Sequence, residues 1–181
     1  QGSGPVGLSS LILAQLAGAT TVIMVGGPDH RLTLATAMGA DMCLNIETTS
    51  QQDRIAAIKT LTSGRGADVV IEATGSPLAV PEGMVLARDA GTYVIAGQYT
   101  DYGDVTINAH WAINRKHLTI KGTWGIDLSH FYRSLQVMAK HHTRFPWGQI
   151  VSAQYSLHEV NQALDDVASC RIMKAVIAPY K

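Results

Sequence analysis

The stretch of sequence that decides the fold is Gly2-Ser3-Gly4-Pro5-Val6-Gly7, at the start of a chain of 181 residues. A proline is tolerated in the first turn of a helix, and the residues after it are apolar at helical spacing: Leu8, Leu11, Ile12 and Leu16. A Gly-x-Gly-x-x-Gly run has a structural meaning where it links a strand to a helix. Because no residue precedes Gln1 to form that strand, we expect the chain to be a fragment cut at a domain boundary. The alternative is that the first strand comes from elsewhere.

Downstream of this run, short apolar segments alternate with helical patterns. The predicted strands cover 21–25, 41–46, 67–71, 91–96, 118–122, 150–155 and 173–177. The predicted helices cover 29–38, 51–61, 81–89, 128–142 and 157–168, with Asp29 as an N-cap. This alternation predicts a Rossmann-type, doubly wound parallel sheet in a three-layer α/β/α fold, with its first strand missing from the chain. Continuously apolar runs at 22–25, 69–71 and 94–96 are expected to be buried on both faces.

Composition and charge exclude several classes of protein. Fourteen Lys and Arg residues balance fourteen Asp and Glu residues, which argues against a nucleic-acid partner. Cys43 and Cys170 lie too far apart in the sequence for a disulfide scaffold and fit a reducing compartment. The longest apolar stretch, 5–19, is too short and too interrupted to cross a membrane. We therefore expect a cytoplasmic protein with no membrane partner.

The glycine run itself indicates a ligand. In a doubly wound sheet, ligands bind at the carboxyl ends of the strands near the switch point. There, Gly2 would permit the tight turn, Gly4 would let the backbone approach a pyrophosphate, and Gly7 would let helix and sheet pack closely. The start of the following helix would stabilise the anion. The sequence therefore favours dinucleotide binding.

Several segments, in order and at regular spacing, resemble the medium-chain dehydrogenase/reductase family. They lie at 2–8, 31–41, 68–75, 91–97 and 121–124. Within that family the chain is most similar to the zinc-dependent alcohol, polyol and threonine dehydrogenase branch. The resemblance implies a dinucleotide-binding Rossmann domain at 1–149. It further implies a return segment at 150–181 that would pack on an N-terminal catalytic domain, which this chain does not contain.

The resemblance also implies which residues bind the cofactor. Those at the pyrophosphate would be Gly2, Ser3, Gly4, Pro5 and Val6. A ribose would contact Ala73 and Thr74, and the nicotinamide carboxamide would be lined by Ala96, Gly97 and Gln98, with Thr123 and Trp124 nearby. Lys174 would neutralise the pyrophosphate. Each has a structural alternative: Thr74-Gly75 as a strand-ending turn, Trp124 as a core or subunit-contact aromatic, and Lys174 as a solvated lysine.

The choice between NAD and NADP depends on one position. NAD-binding sequences carry an acidic residue about 20 positions after the glycines, to accept hydrogen bonds from the ribose 2′-hydroxyl. Here that position is Gly26, and the sequence Gly26-Gly27-Pro28 has no carboxylate. With His30 and Arg31 as cations, this favours NADP over NAD. Asp29 is the alternative ribose partner, which would favour NAD.

The chemistry that the resemblance implies is hydride transfer between an alcohol carbon and the nicotinamide, with zinc acting as a Lewis acid on the alcohol oxygen. The zinc ligands would belong to the absent domain of the full-length protein, and we expect neither a metal site nor a catalytic residue in this chain. The partners would be a small-molecule alcohol and further copies of the protein, as a homodimer or homotetramer with contacts near 118–121 or 105–108. Two alternatives remain at this point: a non-catalytic dinucleotide-binding module and a zinc-free enzyme similar to quinone reductases.

Overall fold

The computed structural model describes residues 1–180 and divides the chain into two compact units. The first unit covers Gln1–Ile126 and the second covers Asp127–Lys181. The boundary expected between residues 149 and 150 divides a dinucleotide-binding domain from a return segment. It is defined by function and stays a prediction.

The first unit is an α/β domain with parallel sheets. Its helices are α1 (Pro5–Leu16), α2 (Asp29–Ala37), α3 (Gln51–Leu61) and α4 (Ala79–Leu86), with a π-helical turn at His110–Asn114. Its strands are β1 (Ile23–Gly26), β2 (Met42–Asn45), β3 (Ala67–Glu72), β4 (Ala87–Ile95) and β5 (Thr119–Gly122). Strand β1 pairs with β2, and β3, β4 and β5 pair in that order, all in parallel. The predicted Rossmann-like α/β fold is confirmed.

The second unit is smaller and less buried. It contains α5 (Leu128–Lys140), a 3-10 turn at Trp147–Ile150, β6 (Ala153–Tyr155), a second 3-10 turn at Leu157–Glu159, α6 (Val160–Ala168) and β7 (Ala175–Ile177). Strands β6 and β7 pair in parallel. Among the described residues 1–180, no helix is both long and apolar enough to cross a membrane. A cytoplasmic location stays a prediction.

Gln1 and Gly2 join the two sheets of the first unit. The terminal amine of Gln1 donates to the Ile71 carbonyl (2.7 Å), and the Gln1 carbonyl accepts from Ala73 N–H (2.8 Å). On the other side, Gly2 N–H donates to the Val25 carbonyl (2.7 Å). A groove of about 560 Å³ continues from Gln1 between β1 and β3.

Three local predictions are wrong, each for a structural reason. The helix expected at 81–89 ends at Leu86, because Ala87 adopts an extended backbone and pairs with β3. Asp29 does not cap α2; the cap position is Pro28, and the Asp29 carboxylate accepts from Asn45 Nδ2 (2.6 Å). Val69 is 57% exposed because it lines the groove between β1 and β3, so within this chain the run at 69–71 is not buried on both faces.

A buried ion pair connects two helices of the first unit. Arg54 on α3 donates through Nε to Glu82 Oε1 on α4 at 2.7 Å, and both side chains are about nine-tenths buried. The Arg54 guanidinium also donates to the Thr49 carbonyl. Because each charge is taken out of water, the pair is a point where a single substitution has a large effect on stability.

Candidate functional site

The glycine turn lies at the carboxyl edge of the sheet and is sterically restricted. Gly2 has φ +102°, a conformation that favours glycine, and a Cβ built there would lie 2.6 Å from the Ala73 carbonyl oxygen. A Cβ built on Gly7 would overlap the Gly2 carbonyl oxygen. The turn can therefore approach β3 and pack under α1 only with glycine at both positions.

The start of α1 is open and free of negative charge. Gly4 is its N-cap residue, and within residues 1–180 no side chain caps the helix. The first turn, 5–8, contains no acidic residue. A Cβ built on Gly4 would meet no atom of the described residues within 4 Å. The first N–H groups of a helix lack acceptors within the helix and carry a partial positive charge, so this end fits an anion such as a pyrophosphate.

Ser3 explains why position 26 is glycine. The Ser3 side chain is almost completely buried, donates to the Gly27 carbonyl (2.8 Å) and accepts from Gly27 N–H (3.1 Å). A Cβ on Gly26 would lie 2.7 Å from Ser3 Oγ. The absence of a carboxylate at Gly26 therefore follows from the packing of Ser3 and is not by itself a signal for NADP.

A carboxylate from another strand lies close to this position. Glu47 follows β2, and its backbone N–H donates to the side chain of Asn45 (2.8 Å). A Cβ built on Gly27 would lie 3.6 Å from Glu47 Cδ. Glu47 is exposed, whereas Arg31 on α2 is partly buried. Glu47 could not be predicted from the sequence, because only the pairing of β1 with β2 brings it beside Gly27.

The ends of β3 and β4 are held together by Glu72, which is completely buried. Its Oε1 atom accepts from Thr74 N–H (2.6 Å), Thr74 Oγ1 (2.6 Å) and Gly75 N–H (2.8 Å). Its Oε2 atom accepts from Gly97 N–H (3.1 Å). Burial by itself raises the pKa of Glu72, but these hydrogen bonds outweigh it and lower the pKa below its ordinary value. The carboxylate is therefore ionised at neutral pH.

The structure brings some of the predicted residues together. Ten of them lie at the carboxyl ends of the strands: Gly2, Ser3, Gly4, Pro5, Val6, Gly26, Ala73, Thr74, Ala96 and Gly97. At the same edge, Gln98 Nε2 donates to the Ser76 carbonyl (3.1 Å), and Thr123 N–H donates to the Ile95 carbonyl (3.1 Å). The Trp124 ring is 73% exposed and stacks on Tyr99, with ring centroids 4.3 Å apart. It is therefore not a core residue, which removes one of its two structural alternatives.

The remaining predictions concern Lys174 and metals. Lys174 is exposed and belongs to the second unit. Its role toward a pyrophosphate stays a prediction. Within residues 1–180, no group of three or more His, Cys, Asp and Glu residues is arranged to hold a metal ion.

The parallel sheets and the glycine turn before α1 define the class of Rossmann-like α/β domains. Residues 5–140 match the sequence model of the zinc-binding dehydrogenases, and the chain belongs to that family. The family resemblance inferred from the sequence is confirmed.

Named relatives act on alcohols of different kinds. The chain is 30% identical over 177 residues to 5-exo-hydroxycamphor dehydrogenase from Pseudomonas putida, covering 98% of this chain and 49% of that protein. It is 35% identical over 170 residues to erythritol/L-threitol dehydrogenase from Mycolicibacterium smegmatis, covering 93% and 44%. A crystal structure of an alcohol dehydrogenase from Thermotoga maritima matches with a TM-score of 0.90 and 35% identity, covering 98% and 48%. The chain therefore spans about half the length of the relatives it matches.

Proposed function

We propose that this chain is the cofactor-binding part of an NAD(P)-dependent oxidoreductase that transfers a hydride between an alcohol or polyol CH–OH group and the nicotinamide. The observation that carries the proposal is the open, uncapped start of α1 beside the glycine turn. Its family and the names of its relatives, which are dehydrogenases of alcohols and polyols, support the reaction class. The zinc would be held by a part of the protein outside this chain.

The order of the strands supports a proposed location for each part of the dinucleotide. The pyrophosphate would bind at Gly4 and the first turn of α1, between β1 and β3, because Gln1 and Gly2 are bonded to both strands. The adenosine would lie over the end of β1, where the ribose is recognised in this fold. The second nucleotide would then lie over the ends of β3 and β4, near Thr74 and Gly97. The bound cofactor would supply the hydride acceptor, and these residues would position it.

The proposal is tested by calorimetric titration of the protein with NADPH and, separately, with NADH. One-site binding of at least one of them is expected. Folded protein that binds neither at millimolar concentration would contradict the proposal.

Arg31 and Glu47 would set the preference between the two cofactors. Arg31 favours the 2′-phosphate of NADP by its charge, and the Glu47 carboxylate beside Gly27 opposes it. A preference for NADP, as expected from the sequence, would require Arg31 to outweigh Glu47.

Glu47→Gln is therefore expected to improve the affinity for NADPH relative to NADH by about fivefold. Two unit charges about 4 Å apart in water interact with about 1 kcal/mol, which corresponds to that ratio. The ratio of the two dissociation constants at low salt measures the effect. Asp104→Asn, which neutralises an exposed loop carboxylate, is the control and should leave the ratio unchanged. An unchanged ratio in Glu47→Gln would show that Glu47 does not face the 2′-position.

The assembly would be a homodimer or homotetramer of the whole protein. Strand β5 forms one edge of its sheet, and all four of its residues, Thr119–Gly122, are exposed. An exposed strand edge is a surface on which another strand can pair. Analytical sedimentation of the whole protein measures its oligomeric state, and a monomer would contradict this assembly.

A further inference from the structure

We propose that Glu72 is a positioning residue for the second nucleotide of the cofactor: its carboxylate holds the Thr74-Gly75 turn and Gly97 in the arrangement that receives the nicotinamide half. This inference rests on the proposed function. Glu72 would touch neither the cofactor nor the substrate, since it is completely buried beneath the edge.

The first argument is that the carboxylate links two strands at their ends. Its Oε1 atom collects three hydrogen bonds from the turn after β3, and its Oε2 atom accepts from Gly97, the second residue after β4. The Gly97 N–H is shared with the backbone carbonyl of Glu72, at 3.0 Å. The Glu72 side chain therefore adds to the backbone pairing a direct link between the two segments that would carry the second nucleotide.

The second argument is the lack of spare room around this carboxylate. A Cβ on Gly97 would lie 2.6 Å from Glu72 Oε1 and 2.5 Å from Gly75 N. A Cβ on Gly75 would lie 2.9 Å from the Gly97 carbonyl oxygen. The two glycines thus let the ends of β3 and β4 approach each other, and Glu72 joins them at that approach.

The third argument concerns the donors around the carboxylate. No cationic side chain within residues 1–180 forms an ion pair with Glu72, and the carboxylate is stabilised by N–H and O–H donors. A buried carboxylate needs such donors to stay ionised. An apolar side chain here would leave the N–H groups of Thr74 and Gly75 without this acceptor, so the presence of a carboxylate is best explained by the donors it holds.

The hydrogen bonds that Glu72 accepts from the Thr74-Gly75 turn and from Gly97 form what we call the clamp. Its position relative to the rest of the site should make its effect on ligand affinity selective. The pyrophosphate and adenosine would contact α1 and the end of β1, neither of which is bonded to Glu72. The segments after β3 and β4 are the ones that hydrogen-bond to its carboxylate directly. Loss of the clamp should therefore weaken the binding of a complete dinucleotide and leave an adenine nucleotide almost unaffected.

The test is Glu72→Gln, titrated with ADP, NADH and NADPH beside the unmodified protein. Glutamine has nearly the same shape, but its amide group is a donor, so it cannot accept from both the turn and Gly97. We expect the dissociation constant of the dinucleotide to rise at least tenfold and that of ADP to change less than twofold. Asp68→Asn is the control, because Asp68 lies on the same strand, is exposed, and should change neither value.

Each result has a distinct meaning. Equal weakening of ADP and dinucleotide would overturn the positioning role in favour of a purely structural one, and unchanged affinities would also overturn it. If the unmodified protein binds neither ligand, the proposed function fails, and with it this role. If Glu72→Gln does not fold, Glu72→Asp keeps the charge but shortens the side chain, so that it cannot reach both the turn and Gly97; a selective loss of dinucleotide affinity is then expected, and no selective loss would overturn the role.

Discussion

Gly7→Ala is expected to destabilise the protein more than any other single added methyl group at the glycine turn. The new Cβ would overlap the Gly2 carbonyl oxygen, which is backbone and cannot rotate away. Gly2 cannot retreat either, because its N–H is bonded to Val25 and its Cα faces the Ala73 carbonyl. Overpacking commonly costs about 1–3 kcal/mol, and contact with a fixed backbone should place this variant at or above the upper end.

Urea unfolding followed by far-UV circular dichroism measures the effect as a lower midpoint. Gly122→Ala is the matched control, because a Cβ on Gly122 would meet no atom of the described residues within 4 Å. It adds the same methyl group to an exposed edge strand, so its midpoint should stay close to that of the unmodified protein. Equal midpoints for Gly7→Ala and Gly122→Ala would show that α1 does not pack against the turn as described.

Glu82→Gln is the second substitution with a large expected effect. It leaves the Arg54 guanidinium buried with a neutral partner, and breaking a buried ion pair in this way costs about 3–5 kcal/mol. The lower end of that range is expected, because the amide oxygen of glutamine still accepts one hydrogen bond. The site of the substitution lies between α3 and α4, so the result should appear in stability rather than in ligand affinity.

The measurement is again the urea midpoint, with Asp68→Asn as the control. Asp68 pairs with Arg88 in a similar geometry, at 2.5 Å, but its side chain is 68% exposed. Exposed ion pairs contribute little to stability because water screens them. A shift in Glu82→Gln no larger than that in Asp68→Asn would contradict the burial of the Arg54–Glu82 pair.

The sequence was sufficient for the parts of the fold that depend on local patterns. The glycine run with its apolar helix and the strand at 67–71 could be predicted because each is a contiguous signal. Val69 shows the limit, since an apolar run does not reveal whether a neighbouring strand covers it. The predicted cap at Asp29 failed because a tertiary partner, Asn45, binds the same carboxylate.

The loops of the candidate site could be predicted from the sequence, but the hydrogen bonds and ion pairs that hold those loops in place could not. The turn residues are marked by glycine, whose steric role is local. Glu72 was visible as an acidic residue after the apolar run Val69-Val-Ile71, a signal for a charge near a buried strand end. Its four donors, however, come together only when β3 and β4 pair. The Arg54–Glu82 pair spans 28 residues and likewise exists only in the folded chain.

The reason for a glycine at position 26 also needed the structure. From the sequence alone, the lack of a carboxylate at position 26 indicates a preference for NADP. The fold gives another reason for the glycine, because the Ser3 side chain occupies the space that a Cβ would need. In the proposed site, the preference between NAD and NADP would therefore depend on Arg31 and on Glu47, which lies beside Gly27.

The central claim is that the uncapped start of α1 binds the pyrophosphate of NAD(P). The most direct measurement is the NADPH and NADH titration repeated on Gly4→Val, because a Cβ at Gly4 would meet no atom of the described residues within 4 Å. The account predicts a folded variant whose urea midpoint falls only modestly, since valine is a poorer N-cap than glycine, together with at least a tenfold loss of affinity for the dinucleotide that the unmodified protein binds. A folded Gly4→Val variant that binds it as tightly as the unmodified protein would contradict the account.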